Sequence, residues 1–87
     1  MQPPLDALRW DDLRVLLAVL REGSFSAAAS VLEVEQSTVS RRIAALELAP
    51  GATLFDRLRT GPRPTELAAA LRVRLERVEA DVHAVLD

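Results

Sequence analysis

The chain has 87 residues, 49% of them apolar and 28% charged, which fits one small folded domain and argues against a disordered segment. Eleven arginines against thirteen acids give −2 with the single histidine neutral, unlike a uniformly basic nucleic-acid binder. With no cysteine and one histidine there is no basis for disulfides, thiolate chemistry or a His-based zinc centre, and no apolar run nears the ~20 residues of a membrane helix. These features, and the absence of a signal-peptide pattern, lead us to expect a cytoplasmic chain with no cofactor, metal or membrane partner.

Met1 to Leu8, with Pro3 and Pro4, reads as a short, loosely held lead-in. Leu13, Leu16, Leu17 and Leu20 then recur at i, i+3, i+4 and i+7, which predicts a helix over about Asp11 to Glu22. Asp11 or Asp12 is the expected N-cap and Gly23 the stop. A second helix is expected at once, capped by Ser24 or Ser26 and rich in alanine from Ala27 to Leu32. Small Ala28 and Ala29 would let a neighbouring helix approach closely. Glu33 to Glu35 make a tight turn, with Val34 expected to plug the core.

A third helix is predicted from about Gln36, with Val39, Ile43 and Leu46 facing inward, and Pro50-Gly51 ends it by about Leu48. Leu54 to Pro64 contains Gly61 and Pro62 and reads as two short extended stretches joined by a turn. Thr65 caps a last helix of about 20 residues.

Two short helices joined by a tight turn form a helix-turn-helix pattern. On a helical wheel, Ser37, Arg41 and Ala44 fall opposite Val39 and Ile43, Thr38 and Ser40 flank them, and Gln36 sits at the tip. That surface lacks bulky apolar groups and acids until Glu47. It suits a major-groove reader, because glutamine can pair with adenine, arginine with guanine, and hydroxyls with bases or phosphates. An ordinary solvated helix face is the alternative, and the distribution of charge weighs against it. Residues 36–65 carry five arginines against two acids, +3, whereas residues 1–35 sum to −3 and residues 66–87 to −2. Arg41, Arg42, Arg57, Arg59 and Arg63 therefore make a basic central third on an acidic chain. Screening makes phosphate attraction local, so such a patch can act despite the total. Arg59 and Arg63 beside Gly61 resemble the wing of a winged helix, which can lie along phosphates or a minor groove.

In the final helix Ala68, Leu75 and Val82 alternate with Leu71, Val78 and Val85 at heptad spacing, a coiled-coil seam. The alternative is a helix packed wholly on its own domain. We favour a homodimer because so small a core leaves it little to cover, and because Arg72, Arg74, Glu79 and Asp81 offer both signs for pairs between two helices. Parallel and antiparallel registers both find such pairs.

Together these residues resemble the LysR-type transcriptional regulators. Glu22-Gly23-Ser24-Phe25-Ser26 with Ala28-Ala29 is similar to that family's first helical junction. Gln36 to Ile43, with Ser40-Arg41 and then Leu46-Glu47, is similar to its recognition helix, and Gly51, Leu54-Phe55, Arg57 and Thr65-Glu66 fall at its spacing. The resemblance implies a mainly α winged helix-turn-helix DNA-binding domain over residues 1–64, with a small β-hairpin wing, and a linker helix over 65–87 that pairs with its twin, usually antiparallel. It implies a bacterial regulator bound to double-stranded DNA, with the recognition helix at about 36–48 in the major groove and the wing at about 54–64 by the minor groove. Gln36, Ser37, Thr38 and Arg41 would face bases. Ser26, Ser40 and Arg57 would touch phosphates, joined by Arg42 and Arg59 from the basic set, with Arg63 at the wing. A small-molecule inducer would act only through a ligand-sensing domain outside this chain, which is expected to be the DNA-binding part of a longer protein.

Three departures stand out. Glu35 replaces a small capping hydroxyl, Ser37 replaces a common proline, and Pro50 and Pro64 are expected to shorten the helix exit and the wing's return strand. The competing reading is a winged-helix protein-interaction or dimerisation module with weak or no DNA binding, which Glu35 and the negative total keep open. An enzyme is not expected, since His83 stands alone without a partner at catalytic spacing.

Overall fold

A computed structural model of the chain describes residues 9–87, so the lead-in expected at Met1 to Leu8 lies outside the described residues. Helix α1 (Trp10–Glu22) ends at Gly23, which takes a left-handed φ of 78° and returns its amide to the Val19 carbonyl. Its start differs from expectation. Arg9 is the N-cap and makes no side-chain bond, so Asp11 and Asp12 sit within the first turn and meet the helix dipole instead of capping amides. Every residue from Val15 to Leu20 is buried, a wider band than the leucine stripe, because α2, α3 and α4 all pack on this helix.

Helix α2 (Phe25–Leu32) is capped by Ser24, whose hydroxyl accepts from the Ala27 amide at 3.0 Å. Ala28 and Ala29 are buried and bring α2 close to α1 and α3. The turn into α3 uses Glu33 at φ 58°, a left-handed conformation uncommon for a residue with a Cβ. Val34 does not plug the core as expected and is 41% exposed. Its contribution is the backbone amide, which donates to the Ala29 carbonyl at 3.0 Å and closes the turn.

Helix α3 (Gln36–Leu46) buries Val39 and Ile43 fully and packs Leu46 against the same core. It stops at Leu46 rather than near Leu48, before proline can act. Pro50 and Gly51 form the centre of a separate tight turn, with the Ala52 amide donating to the Ala49 carbonyl and Gly51 at φ 75°.

Strands β1 (Phe55–Leu58) and β2 (Gly61–Pro64) pair antiparallel, from Phe55 opposite Pro64 to Leu58 opposite Gly61. The return strand matches its partner in length, so Pro64 does not shorten it; both strands are edges, where a missing donor is tolerated. A Cβ on Gly61 would meet the Gly23 carbonyl oxygen at 3.5 Å, which places the hairpin tip beside the α1–α2 junction.

Helix α4 (Glu66–Leu86) starts at Thr65, whose hydroxyl accepts from the Ala68 amide and donates to the Thr53 carbonyl at 2.8 Å. The first half of this helix has much to cover, contrary to expectation. Ala68 and Leu75 are buried and Leu71 packs against the core, where α4 lies on α1. Arg72 donates to the Leu20 carbonyl at 3.2 Å, and Arg21 forks onto Glu79 at 2.8 and 2.9 Å. Arg72 and Glu79, expected as pairing groups between two chains, are therefore engaged within one. Among the described residues no helix is long and apolar enough to cross a membrane.

Candidate nucleic-acid interface

The exposed side of α3 carries Gln36, Ser37, Arg41, Ala44 and Ala45, opposite Val39 and Ile43, which have no exposed surface. Burial of those two fixes the rotation of the helix, and the rotation alone decides which polar groups face outward. The residues expected to read DNA are split by the fold into three neighbourhoods.

Gln36 opens on a cleft shared with Ser24 and Ser26 of the α2 start and with Arg57, Gly61 and Pro62 of the hairpin. This cleft joins the helix-turn-helix to the wing. Ser37 and Arg41 form the exposed crest of α3. The Arg41 guanidinium makes only a long contact, 3.4 Å, to the Thr38 hydroxyl, so little restrains it. Thr38 and Arg42 lie on the third side, toward α1, where both line a groove with Asp11 and Arg14. Ser40 is half-buried, between the exposed surface and the core.

Arg42 departs most from expectation. Its guanidinium donates to Asp12 of α1 at 2.7 Å, so its charge is met within the domain. Sequence order hid this partner, thirty positions away. Arg57 is also held, though toward the cleft. It donates to Glu47 at 3.2 Å, and its guanidinium lies 4.6 Å from the centre of the Phe25 ring. Phe25 meets Phe55 edge-on at 6.1 Å. Half of the Arg57 side chain, 51%, remains exposed. Arg59, at the hairpin tip, and Arg63, on β2, are exposed and have no carboxylate in ion-pair reach among the described residues.

Glu47 has a task that the sequence does not show. It counts there as one negative charge in a basic segment and as part of the Leu46-Glu47 pair in the family resemblance. In the structure one carboxylate oxygen accepts from the amides of Leu54 and Phe55 at 2.7 and 3.2 Å, while the other accepts from Arg57. Its place at the end of a helix, shortly before an apolar pair, offered no signal of that task. Glu35 behaves as its chemistry implies: it is the N-cap of α3 and makes no side-chain bond.

Among the described residues, the ion pair with a marked effect on titration lies away from this surface. Arg21 holds the Glu79 carboxyl below its ordinary range, chiefly through their hydrogen bond, and Glu79 raises Arg21 in turn. Among the described residues no group of three or more His, Asp or Glu is placed to hold a metal.

The family model for the bacterial regulatory helix-turn-helix protein, lysR family, matches residues 10–69. The Mau operon transcriptional activator of Paracoccus denitrificans is 44% identical over 78 residues, covering 90% of this chain and 28% of that protein. The probable HTH-type transcriptional regulator LrrA of Synechococcus elongatus is 53% identical over 55 residues, 63% of this chain and 19% of that protein. The chain thus spans less than a third of the length of these two curated relatives. Among solved structures, the BenM DNA-binding domain in its complex with catB site 1 DNA superposes with a TM-score of 0.85 at 26% identity, over 91% of this chain and 89% of that one. The DNA-binding domain of CbnR in complex with DNA superposes with a TM-score of 0.82 at 27% identity, over 90% of each chain.

Proposed function

The chain belongs to the LysR family of bacterial regulatory helix-turn-helix proteins and is a DNA-binding module of a transcriptional regulator; we propose that α3 reads the major groove while the hairpin lies at the adjacent minor groove. The observation that carries this reading is the exposed crest of α3. Ser37 and Arg41 stand there opposite fully buried Val39 and Ile43, with small Ala44 and Ala45 beside them. Small residues let a helix sink into a groove, and an unrestrained guanidinium can reach the two acceptors of a guanine edge. Gln36, Ser37, Thr38 and Arg41 face bases in this arrangement. Ser26, Ser40 and Arg57 meet phosphates, and Arg59 and Arg63 follow the backbone or the minor groove. Arg42, paired with Asp12, steadies α3 against α1.

We further propose that two copies pair through α4. Burial of Ala68 and Leu75 within the domain takes these two out of the heptad seam read in the sequence, while Val78 and Val85 of that seam stay exposed. Leu67, Val78 and Val85 are 41%, 39% and 84% exposed and lie along one flank of the helix, with Arg74 and Asp81 among them. Val78 and Val85 on that flank stay exposed beyond the part of α4 that covers its own domain. Val78→Asp should leave the fold intact and shift the chain toward monomer in sedimentation, and an unchanged oligomeric state would rule the flank out. A two-fold dimer requires palindromic half-sites about one helical turn, or a multiple of it, apart.

The test of the DNA reading is selection of bound sequences from a random duplex pool at low salt. The expected result is an enriched half-site. Failure to retain any duplex would overturn the reading.

A further inference from the structure

The recognition helix and the wing come from separate stretches of chain, joined by a loop that turns at Pro50-Gly51. A read-out that uses both needs them held in one geometry. Between them stands a single carboxylate, that of Glu47, the residue immediately after α3. One of its oxygens accepts from the Leu54 and Phe55 amides where β1 begins, and the other accepts from Arg57 within β1. Arg57 in turn lies over Phe25, at the start of α2, and Phe25 touches Phe55. The contacts form a closed circuit: α3 to β1, β1 to α2, and α2 back through the turn to α3. The carboxylate side chain is only 18% exposed, which strengthens its bonds relative to a solvated pair.

We propose that Glu47 is a positioning residue for DNA recognition: it sets the wing against α3 and aims Arg57 into the cleft beside Ser26 and Gln36. The inference rests on the DNA-binding reading above. It runs against the simple electrostatic expectation, and that makes it testable. Removing an acid next to a polyanion should tighten binding by Coulomb attraction alone. Removing a positioning group should instead weaken the specific complex, because Arg57 and the wing then lose the alignment that the matching site rewards.

The experiment compares two duplexes: the one recovered by selection from a random pool, and a scrambled duplex of the same composition. Wild-type chain, Glu47→Gln, Arg57→Ala and the double variant are titrated against both, with thermal unfolding recorded for each protein. Glu47→Gln keeps the side-chain size and an acceptor for the β1 amides but loses the charge that holds Arg57. It should lower the ratio of specific to non-specific affinity by about tenfold, the size of a lost charge-assisted hydrogen bond. Its salt slope on the scrambled duplex should not fall, since Arg57 keeps its own charge. In the Arg57→Ala background the same substitution should change the ratio little. An unchanged or increased ratio in Glu47→Gln would overturn the proposal, as would an equal loss with and without Arg57, which marks a general structural role. Failure of the wild-type chain to bind either duplex would instead overturn the DNA reading, and this inference with it.

A second measurement needs no variant. In the free wild-type chain, nitrogen relaxation of the arginine Nε–H groups should show Arg57 ordered and Arg59 mobile. Equal mobility of the two would overturn the proposal even if Glu47→Gln failed to fold.

Discussion

On the scaffold, Arg14, Arg21 and Arg72 have partners, whereas Arg74 and Arg77 have no carboxylate in ion-pair reach among the described residues. Arg14 meets Asp11 at 3.5 Å, Arg21 is clasped by Glu76 and Glu79, and Arg72 reaches Glu76 at 3.9 Å and the Leu20 carbonyl. Arg42, at the border, is taken by Asp12. On the reading face Arg41, Arg59 and Arg63 have no such carboxylate within reach among the described residues. Three scaffold arginines are thus neutralised locally, whereas on the reading face Arg57 is held by Glu47 and Arg41, Arg59 and Arg63 are left available. A net charge is blind to this, because attraction to phosphate depends on which cations are unneutralised within a Debye length of about 8–10 Å of the strand. An acidic domain can therefore present a basic surface, provided its acids are spent on the other side.

If the two regions are separable, substitutions should sort by what they disturb. The largest effect is expected from Ile43→Ala, which empties a fully buried site where α3 packs against the core. Such truncations cost about 2–5 kcal/mol, a large share of the stability of a domain this size. Chemical denaturation should show the loss, and whatever protein stays folded should keep its sequence preference. A changed preference at full folding would blur the division. Arg41→Ala is the complement: thermal stability should move little, while affinity for the selected site falls by about 1–3 kcal/mol and discrimination relaxes at one base position. Retention of the full wild-type preference would remove Arg41 from the base-reading set.

The smallest effect belongs to the scaffold pair. Glu79 is held below its ordinary range in the folded chain, so its stabilisation is complete above the unfolded value, roughly 4.3, and fades as pH falls through the folded value. The pair is partly exposed and screened, which limits its worth to about 1 kcal/mol at most. Unfolding temperatures of wild type and Glu79→Gln should differ at neutral pH and converge in acid, once the pH has fallen through the lowered folded value. A gap that persisted there would place the effect outside this carboxylate.

The order of elements was legible because each has a local cause. Ser24 and Thr65 announce their helices, Gly23 closes α1, and the spacing of Val39 and Ile43 fixes which side of α3 is outward. What could not be read depends on contacts between distant segments. Asp12 neutralises Arg42, Glu47 holds β1, and α1 covers Ala68 and Leu75. Heptad spacing records that one side of α4 is apolar, yet an apolar side packs equally well on its own domain or on a second copy. The start of α1 shows a similar limit: two aspartates suit a cap or a first turn, and only the path of the chain at Arg9 decides between them.

The claim that local, unpaired arginines draw an acidic chain to DNA is tested most directly by salt dependence. Arg59→Ala and Arg77→Ala each remove one positive charge, the first from the hairpin tip and the second from the middle of α4. Binding of each to a scrambled duplex should be measured across a series of salt concentrations beside the wild-type chain. The slope of log affinity against log salt should flatten by about one for Arg59→Ala and stay at the wild-type value for Arg77→Ala. Equal slopes for the two variants would contradict the claim and return the attraction to bulk charge.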